Sequence, residues 1–381
     1  MIQKLNSDYD FKAVLNAICC EERGIDIMLG KAGFSYFYIS DLPCGAANIL
    51  KQDALSLGAE LAVHAGTPNC SVARTDALLF ATQRQLEALI DKESRQPFGL
   101  RAIAAELKRF LDIERIRPKV MGIININNDS FNSSSRTAAR DAAKRAEEMI
   151  DWGAEYIDIG AVSSRPGSDP IPPEDELDRL KPAIDEIYKT GIYQKAIFSL
   201  DSFEPLPIEY ALEHGFRFIN DITGGINKEI LKLAKKFNAA ICIMHMQGNQ
   251  KNMQDNPHYT DVAHEVDGFF EERIRLAAEE GVDEIVLDAG IGFGKRKEHN
   301  LALIKAYSHF LRFGRELLIG ASRKSLIGEI SPSGVEDRLA GTIALHLKAV
   351  EYGASIIRCH DVYEHVQALK VCDALRAQNP K

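Results

Sequence analysis

A chain of 381 residues, 45% of them hydrophobic, is long enough to build one large core and a second, smaller one. A formal net charge of -9 argues against a general attraction to nucleic acid or to anionic membranes, so we expect a small-molecule ligand. Seven cysteines without metal-ligand spacing, an N-terminal segment without the apolar core of a signal peptide, and no membrane-spanning apolar run predict a cytoplasmic protein with free thiols.

Residues 1–115 are predicted to form a small α/β N-terminal domain of unknown role. Its expected strands and helices lie at residues 34–39 and 59–64, and at residues 45–57, 82–92 and 99–111. Gly45, Gly58 and Gly66 lack the spacing of a phosphate-binding loop, so we interpret them as structural turns.

Residues 116–381 show a regular alternation of strand and helix patterns. Short apolar or β-branched runs occur eight times, at residues 120–126, 156–162, 196–200, 218–222, 239–246, 284–287, 317–320 and 355–358. Helical patterns lie between them, for example at residues 137–152 and 335–352. Strands separated by helices form a parallel sheet through right-handed crossovers, and eight such units predict a (β/α)8 TIM barrel.

Polar side chains recur where these strands end, which is where barrel enzymes build their active sites. In strand order they are Asn125; Ser164, Arg165 and Pro166; Asp201; Asn220; Asp288 and Phe293; Ser322 and Lys324; and Arg358 and His360. We expect the acidic and amide groups to converge on one rim, with the cationic groups beside them.

Several neighbouring residues have simpler interpretations. We expect Asp221 and Asp361 to cap local backbone, Arg323 to position other groups, and His245 to be a core or wall residue. The glycine-rich residues 290–294 follow a strand but do not open a helix at the spacing of a dinucleotide fingerprint.

At these strand ends the chain resembles the dihydropteroate synthases of the pterin-binding barrel family. The segments that match, in the family's order, are MGIININNDSF, YIDIGAVSSRPGS, SLDSF, FINDITGG, MHMQG, LDAGIGFGK, GASRKS and RCHDV. The resemblance implies condensation of 6-hydroxymethyl-7,8-dihydropterin diphosphate with 4-aminobenzoate, which yields 7,8-dihydropteroate and diphosphate in folate biosynthesis. It also implies a requirement for Mg2+, a homodimer and inhibition by sulfonamides.

The pterin presents an amino group and a ring N–H on one edge, and a buried carboxylate such as Asp288 can accept both hydrogen bonds. The resemblance implies that Asp201 and Asn220 face the remaining pterin nitrogens and that Lys324 donates to the acceptor side. A fixed anion at Asp201 would stabilise the positive character left when diphosphate departs.

The other two ligands also have implied positions. For diphosphate they are Asn125, Arg358 and His360, with Asn125 also a Mg2+ ligand and with Asn125, Asp201, Lys324 and Arg358 as the catalytic set. For 4-aminobenzoate they are Ser164, Arg165, Pro166, Phe293, Lys324 and Ser322. Mg2+ keeps several waters and takes few protein oxygens, so one amide suffices when the substrate supplies phosphate oxygens.

The first two loops depart from the family pattern. Asn127 and Asn128 replace threonine and proline, which predicts a more flexible loop, and Val162 replaces a glutamate. Two alternatives therefore stay open: a pterin-binding methyltransferase that passes a methyl group from a folate to a corrinoid protein, and a weakly active regulatory paralogue. The segments at Ser322 and Ser164 argue against the methyltransferase, which needs no aminobenzoate site.

Overall fold

The structure is a computed structural model that describes residues 2–7, 9–111, 113, 116–126, 135–162 and 171–377. The chain divides into two compact units, one of Met1–Glu114 together with Val371–Lys381 and one of Arg115–Lys370. The sequence placed a single boundary after residue 115 and assigned the C-terminal residues to the barrel. Within the described ranges, no helix is both long enough and apolar enough to cross a membrane.

The N-terminal unit is a three-stranded antiparallel sheet accompanied by helices. Its strands are β1 (Phe34–Pro43), β2 (Glu60–Val63) and β3 (Arg74–Thr82), in the order β1-β3-β2. Its helices are α1 (Phe11–Ala17), α2 (Glu22–Leu29), α3 (Cys44–Ser56), α4 (Gln83–Glu93) and α5 (Leu100–Lys108). The predicted α/β class of this unit is confirmed, and Thr82, predicted as a helical residue, instead caps α4.

The central strand of this sheet, β3, was not predicted from the sequence. Its buried side chains include Ala77, Leu79 and Ala81, which alternate with more exposed positions and pack into the core of the unit. Alanine has a low preference for strands, so the alternation in the sequence is weak. The strand is stabilised from outside, because β1 and β2 both pair with it. Helices α1 and α2 were also missed.

The second unit is a closed barrel of eight parallel strands, which confirms the predicted TIM barrel. The strands are β4 (Lys119–Asn125), β5 (Tyr156–Gly160), β6 (Ile197–Asp201), β7 (Phe218–Asp221), β8 (Ala240–Met244), β9 (Ile285–Asp288), β10 (Glu316–Ile319) and β11 (Ile356–Cys359). Each of these strands overlaps a strand that the sequence predicts. Pairing of β11 with β4 closes the ring.

Helices surround the barrel. They are α6 (Ser135–Trp152), α7 (Pro173–Thr190), α8 (Pro205–Glu213), α9 (Lys228–Phe237), α10 (Val262–Glu279), α11 (Lys297–Lys305), α12 (Tyr307–Phe310), α13 (Ser325–Ile330), α14 (Leu339–Glu351) and α15 (Val362–Arg376). The helix predicted at residues 335–352 begins instead at Leu339, because a short 3-10 turn over Val335–Arg338 precedes it.

The interior of the barrel is layered. One buried cluster contains a side chain from each of seven strands: Met121, Tyr156, Phe218, Cys242, Val286, Leu318 and Ile356. Side chains two positions apart in a strand point to the same face, so the residues that follow these by two also point inward. Four of those are polar, namely Asp158, Asn220, Asp288 and Arg358. The apolar layer therefore closes the barrel directly beneath a polar one.

Candidate active site

Asp158 lies at the centre of this polar layer, and the sequence analysis did not single it out. It is fully buried. One of its oxygens accepts hydrogen bonds from Arg358 Nε at 2.6 Å and Asn220 Nδ2 at 3.0 Å, and the other accepts from Ser199 Oγ. The signal for it was its position two residues after Tyr156 in a strand whose other inward residues are apolar or glycine. Asp158 thus connects strands β5, β6, β7 and β11.

Arg358 joins Asp158 to Asp201. Its Nη2 donates to Asp201 Oδ2 at 2.6 Å, while its Nε bonds Asp158. Burial raises the pKa of Asp201 to about 7, and the guanidinium of Arg358 opposes that rise. Burial disfavours the cation of Arg358, but the two carboxylates outweigh it and raise the pKa of Arg358 above its usual value. Arg358, which was predicted to bind diphosphate, therefore lies inside the barrel mouth between two acidic groups.

Asn220 completes this side of the mouth. It pairs with Asp201 in the register of β6 and β7, so the two side chains are neighbours on adjacent strands. Its Nδ2 donates one hydrogen bond to Asp158, and its amide group can both donate and accept further hydrogen bonds.

Asp288 and Lys324 form the opposite side. Burial raises the pKa of Asp288, and Lys324 is the main group that opposes the rise. Burial also lowers the pKa of Lys324 to about 8, and Asp288 opposes that change. The Lys324 amine donates to the carbonyl of Ile291 and lies 4.4 Å from the ring centroid of Phe293. The structure thus brings the three predicted residues Asp288, Phe293 and Lys324 together.

The loop after β9 is organised around Lys295, a second residue that the sequence analysis did not assign. This buried amine lies 2.9 Å from His245 Nδ1 and donates to the carbonyl oxygens of His245, Gly290 and Phe293 at 3.0 to 3.1 Å. Burial lowers the pKa of Lys295 to about 7, whereas three surrounding carbonyl oxygens favour its charged form. His245 is buried and bonded to this lysine, as expected of a wall residue.

Gly290 shows why this loop needs glycine. Its φ is +66°, and a Cβ added there would lie 1.9 Å from the carbonyl oxygen of His245. The backbone N–H of Gly290 donates to Asp288 Oδ1 at 2.7 Å, so the close approach also orients the carboxylate. A side chain at this position would separate β9 from the end of β8.

Ser322 and His360 link the ends of β10 and β11. Ser322 Oγ lies 3.0 Å from His360 Nδ1 and 3.3 Å from the backbone nitrogen of His360. Beside them Arg323 makes a two-point ion pair with Asp361, with its Nε 3.0 Å from Asp361 Oδ2, and it also contacts Glu336. Arg323 is therefore a positioning residue, and the Asp361 carboxylate, which was expected to cap local backbone, pairs with Arg323 instead.

The remaining predicted residues end or follow the first two strands of the barrel in the sequence. Asn125 ends β4, is exposed and pairs with Gly160 in register. Ser164, Arg165 and Pro166 lie outside the described residues, as do Asn127 and Asn128. Among the described residues, no group of three or more His, Cys, Asp or Glu side chains could hold a metal ion.

Asp221 has a structural role. Its carboxylate accepts from the backbone of Thr223 at 2.7 Å and of Gly225 at 2.9 Å, which fixes the turn after β7. It does not belong to the group that faces the mouth.

The mouth can bind a flat heterocycle on its edges. Acceptors from Asp201, Asn220 and Asp288 lie at strand ends above the apolar layer, and Lys324 supplies a donor beside them. In such a buried site, unpaired polar edges are costly, so a ligand that matches every donor and acceptor is strongly preferred.

Comparison with known proteins agrees with this geometry. The profile of a family described as pterin binding enzyme matches residues 121–360. A bifunctional dihydropteroate synthase/dihydropteroate reductase of Helicobacter pylori (strain ATCC 700392 / 26695) is 42% identical over 380 residues, which cover 98% of this chain and 99% of the relative.

Solved structures match the barrel. A Yersinia pestis dihydropteroate synthase in complex with a sulfonamide drug has a TM-score of 0.63 and 35% identity over 70% of this chain and 97% of that one. A dihydropteroate synthase from Xanthomonas albilineans in complex with 7,8-dihydropteroate has a TM-score of 0.61 and 33% identity over 71% of this chain and 97% of that one.

Proposed function

The chain belongs to the dihydropteroate synthase family of pterin-binding enzymes, and we propose that its barrel condenses 6-hydroxymethyl-7,8-dihydropterin diphosphate with 4-aminobenzoate. The barrel is a transferase that makes 7,8-dihydropteroate for folate biosynthesis. The observation on which the assignment of roles rests is the ring of Asp201, Asn220, Asp288 and Lys324 at the mouth of the barrel.

We propose that Asp288 accepts hydrogen bonds from the amino group and ring N–H of the pterin. Its burial makes this pairing selective, because a ligand without those donors would leave the carboxylate with too few hydrogen bonds beyond the one from Gly290. Asp201 and Asn220 meet the remaining ring nitrogens. Lys324, which lies over Phe293, supplies the donor for the acceptor side of the ring.

The reaction replaces a C–O bond by a C–N bond. The bond from the exocyclic carbon to the diphosphate oxygen breaks, and its electron pair leaves with diphosphate. The amine of 4-aminobenzoate attacks the same carbon and then loses one proton. Positive character develops on the carbon and ring, and the fixed carboxylate of Asp201 stabilises that charge more in the transition state than in the ground state.

Asn125, Arg358 and His360 are proposed to bind the diphosphate. Arg358 forms ion pairs with both Asp158 and Asp201. When diphosphate binds, Arg358 would exchange part of that pairing for hydrogen bonds to phosphate oxygens. Asn125 would hold Mg2+, since it is an exposed amide at a strand end and magnesium takes few protein oxygens. When bound, the metal offsets negative charge on the departing diphosphate.

We propose that 4-aminobenzoate lies between the ring of Phe293, the amine of Lys324 and the hydroxyl of Ser322. The carboxylate of this substrate needs a donor, and Ser322 already lies beside His360 at the adjoining strand end. Ser164, Arg165 and Pro166 of the second loop stay predictions for the same subsite.

The test is diphosphate release from the two substrates with Mg2+. We expect stoichiometric diphosphate and 7,8-dihydropteroate, and inhibition by a sulfonamide that competes with 4-aminobenzoate. Methyl transfer to a corrinoid protein without diphosphate release would favour the methyltransferase. Pterin binding without either product would favour the regulatory paralogue.

We propose reduction of dihydropteroate as a second activity, because the Helicobacter pylori relative with both activities matches this chain across its N-terminal unit as well. The reaction adds a hydride to C6 and a proton to N5 of the 7,8-dihydropterin ring, and it needs a reduced nicotinamide or flavin as donor. Incubation of the full chain with dihydropteroate and each donor should give tetrahydropteroate in a mass spectrum. Unchanged dihydropteroate with every donor would reject this second activity.

Homodimer formation and a cytoplasmic location stay predictions. Light scattering of the purified chain measures the first directly, since a dimer has twice the 42.3 kDa mass of one chain.

A further inference from the structure

Two buried histidines connect the ends of β10 and β11 behind the site. His346, on α14, and His365, on α15, are almost completely inaccessible to solvent. The backbone N–H of Ala321 donates to His346 Nε2 at 3.0 Å, His346 Nδ1 lies 2.9 Å from His365 Nε2, and His365 Nδ1 lies 2.6 Å from the carbonyl oxygen of Asp361. The chain of hydrogen bonds runs unbroken from one strand end to the other.

The two ends of this chain of hydrogen bonds determine which ring nitrogens carry protons. The N–H of Ala321 can only donate, so His346 Nε2 must accept, and the Asp361 carbonyl can only accept, so His365 Nδ1 must carry a proton. His346 then donates from Nδ1 to His365 Nε2. A second proton on either ring would place two donors face to face, so both rings are neutral and share one tautomer.

Both anchors adjoin proposed substrate ligands. Ala321 directly precedes Ser322 and lies three residues before Lys324, and Asp361 directly follows His360. Burial, the largest cause for each, lowers the pKa of His346 and of His365, which agrees with two neutral rings.

We propose that His346 and His365 are positioning residues, which hold Ser322, Lys324 and His360 in register across β10 and β11. Together the two rings form one relay, in which each ring carries its proton on Nδ1 and passes the hydrogen-bond direction from one strand end to the other. This role in the reaction rests on the proposed synthase function. The histidines touch no substrate themselves; they fix the backbone from which the ligand side chains extend. Misplacement of reacting groups by about 1 Å can lower a rate by about 100-fold.

The tautomers can be measured without any activity. Long-range 15N–1H correlation spectra of the full chain labelled at histidine should show two neutral Nδ1–H rings at pH 7. Their signals are assigned by their loss in His346→Gln and in His365→Gln. An Nε2–H tautomer or a cationic ring at either position would overturn the relay, even if the protein proved to have no synthase activity.

Kinetics test the positioning role. His346→Leu should lower kcat/KM for 4-aminobenzoate by about 100-fold. His346→Gln, whose amide can accept from Ala321 and donate to His365, should recover most of that loss. If the two rings act as one relay, adding His365→Leu to His346→Leu should cause little further loss, because the relay is already broken.

His214→Leu is the matched control. His214 follows α8 at the opposite end of the barrel and contacts the backbone carbonyl of Tyr210. It should leave kcat/KM unchanged. Equal kinetics in the wild-type protein and His346→Leu, or fully additive losses in the double variant, would contradict the proposal. Lower thermal stability alone, without the kinetic loss and its rescue, would show a merely structural pair.

Discussion

One arginine is shared by two carboxylates at the mouth of the barrel, that of Asp158, which is buried, and that of Asp201, which is partly buried. Arg358 bonds Asp158 and Asp201, and Asp158 also accepts from Asn220 and Ser199. Buried charges are tolerated only when they are paired and hydrogen-bonded, and here each partner orients the next. Asp158 is thus the group that holds Arg358 and Asn220 in place, while Asp201 is left to face the ligand.

Asp158→Ala should destabilise the barrel strongly. Arg358 keeps its ion pair with Asp201, but Arg358 Nε, Asn220 Nδ2 and Ser199 Oγ lose their acceptor, and each buried group left unsatisfied costs about 1 to 3 kcal/mol. Urea unfolding followed by the fluorescence of Trp152, the only tryptophan, reports on the barrel unit. Glu155→Ala is the control, since its ion pair with Arg117 is exposed and should contribute about 1 kcal/mol or less. Equal losses of unfolding free energy in Asp158→Ala and Glu155→Ala would contradict this prediction.

The rate of condensation should fall as pH drops below about 7. Burial raises the pKa of Asp201 to about 7, so its carboxylate is protonated at lower pH, and a neutral acid cannot stabilise the developing cation. A profile of kcat/KM between pH 5 and pH 9 measures this. Asp201→Asn should be slower by about 100-fold or more and should lack this acid limb. A limb that persists in the variant would belong to the substrate instead.

At the scale of elements, the loop from Asp288 to Lys295 shows how one side chain can organise backbone. Lys295 bonds three carbonyl oxygens of two segments, after β8 and after β9. Gly290 allows those segments to touch. The same loop presents Phe293 and the carbonyl of Ile291 to Lys324, so its conformation determines the shape of the aminobenzoate subsite.

Lys295→Met should therefore weaken the binding of 4-aminobenzoate by changing the conformation of this loop. It removes a donor from three carbonyl oxygens, of which that of Gly290 keeps the N–H of Phe293, and each buried group left unsatisfied costs about 1 to 3 kcal/mol. We expect a raised KM for 4-aminobenzoate and lower thermal stability. Lys297→Met, on α11 with a side chain 41% exposed, is the control and should change neither. An unchanged KM in Lys295→Met would show that the loop is held by other contacts.

At the scale of the whole molecule, the barrel and the N-terminal unit each have hydrophobic clusters of their own. The barrel buries an outer cluster between strands and helices and an inner cluster inside the ring. The N-terminal unit has its own cluster around β3, α3 and α4. Each core can therefore be weakened by a substitution within it.

Leu79→Ala tests this for the N-terminal unit. Leu79 is fully buried on β3, and such truncations cost about 2 to 5 kcal/mol. Hydrogen exchange followed by mass spectrometry should show faster exchange in peptides from β1 and β3. Leu55→Ala, at a position 41% exposed, should have little effect on the same peptides. Unchanged exchange in Leu79→Ala would show that β3 does not depend on this core.

The sequence by itself determined the barrel, because eight apolar runs that alternate with amphipathic helices have few other ways to bury their surface. It also placed Asp201, Asn220, Asp288 and Arg358 at strand ends, since the end of an apolar run is a local feature. The family resemblance supplied their roles, and the comparisons support the activity.

Only the tertiary structure decided which of these groups meet. The contact between Asp158 and Arg358 joins residues 200 positions apart, and the bond between His346 and His365 joins two helices. Strand β3 likewise owes its conformation to partners on both sides rather than to its own composition. Such contacts depend on barrel closure and strand register, which no local pattern encodes, because both are set by how all the elements pack at once.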